Sequence, residues 1–465
     1  MKLRNLFQLA LLATVIMFTS PSCVKEGPMG PAGADGTNGT NGVDGINGIN
    51  GTNAGGTCAV FHTKAKVDLI STQFQLSKHN HGTAAFEEAG IPGCTPCHAQ
   101  EAFKYVVKNN IPSTFSADPK KAGFFKNDYT TIPSAAYGNI GCGTCHSEIH
   151  TTYAEGDMAL TTVAAVPMTM WGGLKTIDIK ADGGVSNLCV KCHQPRPFVN
   201  ALTGNVQDYV AIAATPAGVM YDGTAELPNT NDKVRPAYRM HTHYGTAGAV
   251  FAGMGGVEFA GIPYTNSAHT TAASCVDCHM GDMNGKAGGH TFTAKGNLKT
   301  CNATGCHSTE VNDKTPRLWV DPRAEIKTLL NNLAAKLTIG GVDILNRNPD
   351  AEHNLWVGLT TNKYDGYLNI YDPINNPNGV ASNGNKTFKF IPGSVNPSTD
   401  ALGFPKTWAP EYKVINTALP EMPNLTNAQF GAIINFQLCL RDYSLGIHNY
   451  AYTKALLTNS IAVLQ

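Results

Sequence analysis

The stretch Cys275-Val276-Asp277-Cys278-His279, followed by Gly288-Gly289-His290 and then Cys301-Asn302-Ala303-Thr304-Gly305-Cys306-His307, decides how this chain is read. Two cysteines two residues apart, with histidine directly after the second, put two thiols and an imidazole on one tight turn. That is the attachment pattern of c-type haem. The thiols form thioethers to the haem vinyl groups, and the histidine reaches the iron from one face. The second pair has four residues between its cysteines, a looser loop for the same three groups.

The pattern recurs upstream. Cys94-Thr95-Pro96-Cys97-His98, Cys142-Gly143-Thr144-Cys145-His146 and Cys189-Val190-Lys191-Cys192-His193 bring the motifs to five, and these use ten of the chain's 13 cysteines. A disulfide framework gives no reason for histidine at that offset five times. Structural zinc uses paired Cys-x-x-Cys knuckles and does not need it either. The expectation is five haem c groups, with His98, His146, His193, His279 and His307 as proximal iron ligands.

Composition agrees. Gly, Asn, Thr and Pro are abundant and long alternating strands are few, so the expected fold is mainly α with extensive irregular loops. In such a multihaem chain the haems form much of the core. Thirty-four basic and 34 acidic residues cancel, which argues against a nucleic-acid partner.

Residues 1–22 read as an export signal. Lys2 and Arg4 precede an apolar run from Leu6 to Phe18 that is too short to span a bilayer stably. Ser20, Pro21 and Ser22 then lead to Cys23, which resembles the lipidated first residue of a bacterial lipoprotein, although Ser20 stands where Leu is usual. Lys25-Glu26 resembles the surface-export tag of Bacteroidetes lipoproteins. The alternative is an ordinary cleaved signal peptide. Either way the mature chain is exported, to the periplasm or to the outer membrane and cell surface.

Residues 23–57 form a spacer with glycine at every third position from Gly27 to Gly51. That is the collagen period, but proline appears only at Pro28 and Pro31. A trimeric stalk is one reading. An extended polar spacer that lifts the domain off the membrane is the preferred one.

Cys58-Ala59-Val60-Phe61-His62 is the haem pattern with Phe in place of the second cysteine. It is either a sixth haem site or a free or disulfide-bonded cysteine beside a surface histidine. Cys439 is a candidate partner for Cys58 in an oxidising compartment.

Residues 58–307 hold every motif. Helical spacing is expected over 64–90, with Val67, Ile70 and Phe74 on one face, and again over 102–107. A helix continuing past His146 would put His150 on the same face, four residues on; His150 would then serve a neighbouring iron. Residues 308–465 have no motif and are expected to pack on the haem region. Asp321-Pro322 reads as a helix start, and Ala324 to Leu337 has helical apolar spacing. Thr426 and Gln429 allow a capping box into a long terminal helix broken near Gly446.

Asn187-Leu188-Cys189 through Arg196, His243-Tyr244-Gly245, Tyr264 to His269, Cys275 to Met280 and Gly288 to Phe292 together resemble exported multihaem c-type cytochromes. They sit near the group that includes cytochrome c nitrite reductase and cytochrome c554-like proteins. The end, Arg441-Asp442-Tyr443-Ser444-Leu445-Gly446-Ile447-His448-Asn449, resembles it too. The resemblance implies His79, His150, His243, His269, His290 and His448 as distal iron ligands, one more than five haems need. His81 and His241 are close alternates, and His353 is left as a surface residue.

The resemblance implies electron transfer through closely packed, mostly bis-histidine haems. Partners would be other redox proteins or an extracellular electron acceptor, and assembly into trimers or filaments is open. The alternative is a reductase of nitrite, hydroxylamine or a sulfur oxyanion at one open iron. Nitrite reductases of this group carry Lys in place of His at their catalytic haem, and all five motifs here end in His.

Overall fold

Each cysteine motif winds into a single turn, and these turns recur as short helices between loops. The computed structural model describes residues 64–82, 94–110, 115–117, 125–127, 139–146, 159–168, 175–195, 207–221, 242–303, 305–347, 364–368 and 425–465. All belong to one compact unit, residues 61–465. The export signal, Cys23, the glycine-periodic spacer, Cys58, His62, His150, His241 and His353 lie outside the described residues.

The helices are α1 (Lys64–Gln75), α2 (Lys78–His81), α3 (Thr95–His98), α4 (Gln100–Lys108), α5 (Cys142–Cys145), α6 (Asn187–Val190), α7 (Tyr209–Ala214), α8 (Ala247–Phe251), α9 (His269–Ala272), α10 (Cys275–His279), α11 (Asp321–Lys336), α12 (Asn427–Arg441) and α13 (Tyr450–Val463). The described strands form four antiparallel two-stranded pairs, such as Val166–Met168 with Lys175–Ile177. None of the described helices is long and apolar enough to cross a membrane.

Thr426 starts the central element. Its hydroxyl accepts the Gln429 N–H at 3.2 Å, and the Gln429 side chain accepts the Thr426 N–H at 3.0 Å. This reciprocal box satisfies two donors that a helix start would otherwise leave bare. The helix that follows is buried on every side, including Asn435, Gln437 and Arg441. A helix buried all round lies inside its domain. Around it pack Ile326, Leu330 and Leu333 of α11, Leu456 and Leu457 of α13, and Val257 and Phe259 from the loop after α8. Polar side chains tie these layers together. Asn435 accepts the Val257 N–H at 2.7 Å and donates to the Val257 carbonyl and the Ser460 hydroxyl, both at 2.8 Å.

The break between α12 and α13 is built from residues with positive φ: Tyr443, Leu445 and Gly446, the last at 88°. A Cβ on Gly446 would also stand 2.8 Å from Ile326, so glycine answers both demands. Asn449 then caps α13, accepting the Tyr452 N–H at 3.3 Å.

Three expectations need correction. The helix over 64–90 stops at Gln75 and resumes as one turn at Lys78. Val67 stands 46% exposed, while the residue that α1 buries is Gln73; its polar end has a partner, described below. The helix after the second motif does not run on to His150. It ends at Cys145, and His146 is extended and bridges to Leu160. Cys439 is a free thiol inside α12, buried in the core; burial pushes its pKa up.

The apolar core is unevenly shared. It draws on α11–α13 and on residues 166–259, whereas the first motif contributes a separate small contact, Ala99 with Ala102. The motif-free carboxy-terminal part is therefore the apolar heart of the same unit.

Candidate metal centres

The motif turns close in a common way. The His98 N–H donates to the Cys94 carbonyl at 3.1 Å, His146 to Cys142 at 2.9 Å and His193 to Cys189 at 2.9 Å. The fourth motif is α10 itself, started by Ser274, whose hydroxyl and N–H engage the Asp277 carboxylate at 2.8 Å each. The longer fifth loop reaches the same closure, His307 N–H to Cys301 carbonyl, at 3.0 Å. One backbone bond thus gathers both thiols and the imidazole on one turn in both loop lengths.

The turns are brought together. Cys97 hydrogen-bonds with Cys192, and Cys189 with Cys275; burial adds to that bond in raising the Cys192 and Cys189 thiols. Cys275, the acceptor of its pair, is pulled down to about 7 by Cys189, against the effect of burial. Burial, then nearby Cys301, pushes Cys278 up to about 11. The third motif therefore touches the first and the fourth, and the fourth lies near the fifth.

Opposite four of the five motif histidines stands a second histidine. The ring centres of His79 and His193 are 5.9 Å apart, those of His98 and His243 6.3 Å, those of His269 and His307 5.9 Å, and those of His279 and His448 6.1 Å. His290 lies close enough to His146 for charge on one to oppose charge on the other. The separation is informative. An imidazole nitrogen binds a first-row metal at about 2 Å, with its ring centre about 1 Å behind, so two imidazoles on opposite faces of one iron have centres about 6 Å apart. Stacked or edge-packed rings can come closer than this.

The imidazoles are also oriented. Nδ1 of His279 meets the Phe292 carbonyl at 2.9 Å, and Nδ1 of His269 the Ile447 carbonyl at 2.9 Å. His193 bonds the Gly245 backbone, and Nδ1 of His448 meets Asp442 Oδ1 at 2.5 Å. A ring that donates from Nδ1 keeps its lone pair on Nε2, the arrangement found in metal-ligating histidines. Burial favours the neutral, ligating form: it pushes His193 down to about 4, with His79 and His279 adding repulsion, and it lowers His79, His279 and His290. His448 goes the other way. Burial opposes its cation, but the Asp442 carboxylate overcomes this and holds its pKa above the usual histidine range.

These residues fit haem c. Each motif offers two thiols beside one imidazole, and four of the five imidazoles face another. Structural zinc fits less well, because among the described residues no group of three or more His, Cys, Asp or Glu side chains closes on one point.

Of the six distal candidates, His79, His243, His269 and His448 each meet a different motif histidine; His290 lies within electrostatic reach of His146, and His150 lies outside the described residues. His81 faces away from these pairs, with Nδ1 at 3.2 Å from the Gln75 carbonyl.

Sequence reasoning missed the supporting residues. Gln73 accepts the His290 N–H at 3.0 Å. Phe292 contacts the His79 ring at 4.9 Å and the His290 ring at 5.8 Å while taking the His279 proton on its carbonyl. Asp442 was in view as part of the carboxy-terminal resemblance, but its role depends on a buried contact. The signal available was the run of polar residues around His448.

No family model matches the chain, and neither a characterised protein nor a solved structure does so.

Proposed function

We propose that this chain is an exported pentahaem c-type cytochrome that carries electrons through closely spaced bis-histidine haems. The observation that carries the reading is the pairing of four motif histidines, His98, His193, His279 and His307, with four different histidines from elsewhere in the chain at ring separations of 5.9–6.3 Å. Chance packing of surface histidines would not select the motif residue each time.

Bound haem supplies a one-electron iron couple, and its chemistry is the cofactor's own. The chain's residues do the rest. Cys94/Cys97, Cys142/Cys145, Cys189/Cys192, Cys275/Cys278 and Cys301/Cys306 anchor the groups covalently. The paired imidazoles would be the iron ligands, and the bonds of His193, His269, His279 and His448 to their neighbours fix ring orientation. Contact between motifs one and three, three and four, and four and five keeps neighbouring sites close. Imidazoles already set for ligation need little rearrangement when charge changes, which suits a relay.

A reductase would need one iron face left open to substrate. The second imidazole opposite four of the motif histidines, with His290 near the fifth, favours the relay instead. Export, a lipid at Cys23 and a polar spacer over 23–57 would put the relay at the outer membrane or cell surface. It would there face other redox proteins or an extracellular acceptor.

Intact mass of the mature protein tests the reading. Five haem increments are expected, with low-spin signals for all of them in magnetic circular dichroism. A mass without haem, or a high-spin haem that turns over nitrite or hydroxylamine, would sink it.

A further inference from the structure

We propose that Asp442 lowers the reduction potential of the iron held between His279 and His448, by drawing the His448 Nδ1 proton toward its carboxylate. The proposal rests on the haem reading above. Asp442 follows the last residue of α12, and its side chain is fully buried. Oδ1 takes the His448 Nδ1–H at 2.5 Å. Oδ2 takes the Ser444 hydroxyl proton, and the Ser444 oxygen accepts the His448 backbone N–H at 3.1 Å. The three residues close a small ring that fixes the imidazole and the carboxylate together.

The other resolved partners are different in kind. His269 and His279 give their Nδ1 protons to neutral backbone carbonyls. A carboxylate is an anion, and charge-assisted hydrogen bonds are roughly twice as strong as neutral ones. Burial strengthens the effect, because the interior screens charge less than water does. Pulling the proton away from Nδ1 leaves more electron density on the imidazole, so Nε2 becomes a stronger donor. A stronger donor favours the ferric over the ferrous ion, so potential falls; outer-shell hydrogen bonding is one of the protein's levers on it. Ser444 moderates the effect, since its hydroxyl shares the carboxylate's charge. Asp442 is thus a positioning residue that acts on the iron through His448.

The test is spectroelectrochemical titration of the full haem-loaded chain, with Asp442→Asn, Asp442→Glu and Ser444→Ala beside the unmodified protein. Asp442→Asn should raise one of the five one-electron steps. The change expected is tenfold or more in that iron's oxidised-to-reduced ratio at fixed potential, about 59 mV for one electron. The other four steps should stay in place and every haem should remain low-spin. Asp442→Glu should restore part of the shift. Ser444→Ala should move the same step down, an opposite sign that loss of packing would not give. Five unmoved steps in a low-spin Asp442→Asn protein overturn the proposal and leave the haem reading intact. One high-spin haem in that variant also overturns it, since Asp442 would then merely hold the ring. Should Asp442→Asn fail to accumulate, Ser444→Ala decides alone, and a step unmoved or raised overturns the proposal. An unmodified chain whose mass shows no haem removes both readings together.

Discussion

His279 and His448 stand with ring centres 6.1 Å apart and planes tilted by 33°. The first ends the turn of the fourth cysteine motif, and the second lies in the linker between the last two helices. Each is held independently, His279 by the Phe292 carbonyl and His448 by Asp442. The motif-free carboxy-terminal part of the chain thus reaches into the motif region with an imidazole already aimed.

Replacing His448 with Ala removes one member of this pair and leaves both cysteines of the motif. Five haems should still be attached, and one should become high-spin. Intact mass and magnetic circular dichroism together read this out. A fully low-spin variant would show that His448 does not face the iron.

His79 and His81 lie two residues apart on α2 but differ in surroundings. His79 faces His193 at 5.9 Å, whereas His81 bonds the Gln75 carbonyl. His79→Ala should convert one haem to high-spin, and His81→Ala should leave the low-spin spectrum unchanged. The reverse result would reassign the distal ligand of the third motif.

The motif turns were legible because covalent chemistry demands a local pattern, and local patterns survive in sequence. Thr426 and Gln429 were legible for the same reason, since a capping box spans four residues. Distal histidines could be named through resemblance, but their pairing is a long-range fact. His448 meets His279 because α12 is buried and the linker turns at Tyr443, Leu445 and Gly446, and no spacing encodes that. Helix α1 misled because Val67, Ile70 and Phe74 have helical spacing while the residue held inside is Gln73. Its burial is explained by the His290 N–H, a partner far along the chain. Cys439 misled because compartment argues for oxidation, whereas a central helix simply packs the thiol.

Gly248 lets α8 lie against the third motif. Its N–H donates to the His193 carbonyl at 2.9 Å, and an added Cβ would stand 2.7 Å from that oxygen and 2.9 Å from Val190. The opposing atoms include backbone, which cannot rotate away. Gly248→Ala should destabilise the protein by about 1–3 kcal/mol, as overpacking does. Gly218→Ala is the control, because an added Cβ there meets nothing within 4 Å; exposed changes of this kind stay within about 0.5 kcal/mol. Denaturant midpoints of the two variants make the comparison, and equal midpoints would refute the clash.

Asn435 sits fully buried in α12 and satisfies both the N–H and the carbonyl of Val257. Asn435→Ala should cost about 1–3 kcal/mol, because the buried Val257 N–H loses its partner. Asn435→Leu should not recover the loss. It restores volume but leaves the Val257 N–H unpaired, while the carbonyl keeps the Phe259 N–H at 3.1 Å. Chemical unfolding of both variants is the check, and a leucine variant as stable as the native chain would show that packing, rather than polarity, matters at this position.

The ring planes divide the four ring pairs into two kinds. His269 with His307 and His79 with His193 are near perpendicular, at 87° and 76°, while His98 with His243 and His279 with His448 lie at 39° and 33°. An imidazole π orbital, normal to its ring, raises the one iron d orbital it overlaps. Two rings in nearly the same plane raise the same orbital and split the pair, which gives a rhombic signal. Perpendicular rings raise both alike, leave them nearly degenerate and give a strongly anisotropic signal. Electron paramagnetic resonance of the oxidised protein should therefore show both kinds of low-spin haem. His79→Ala should remove intensity from the anisotropic kind, and His243→Ala from the rhombic kind. A single class of signal would mean that the ring angles change when iron is bound.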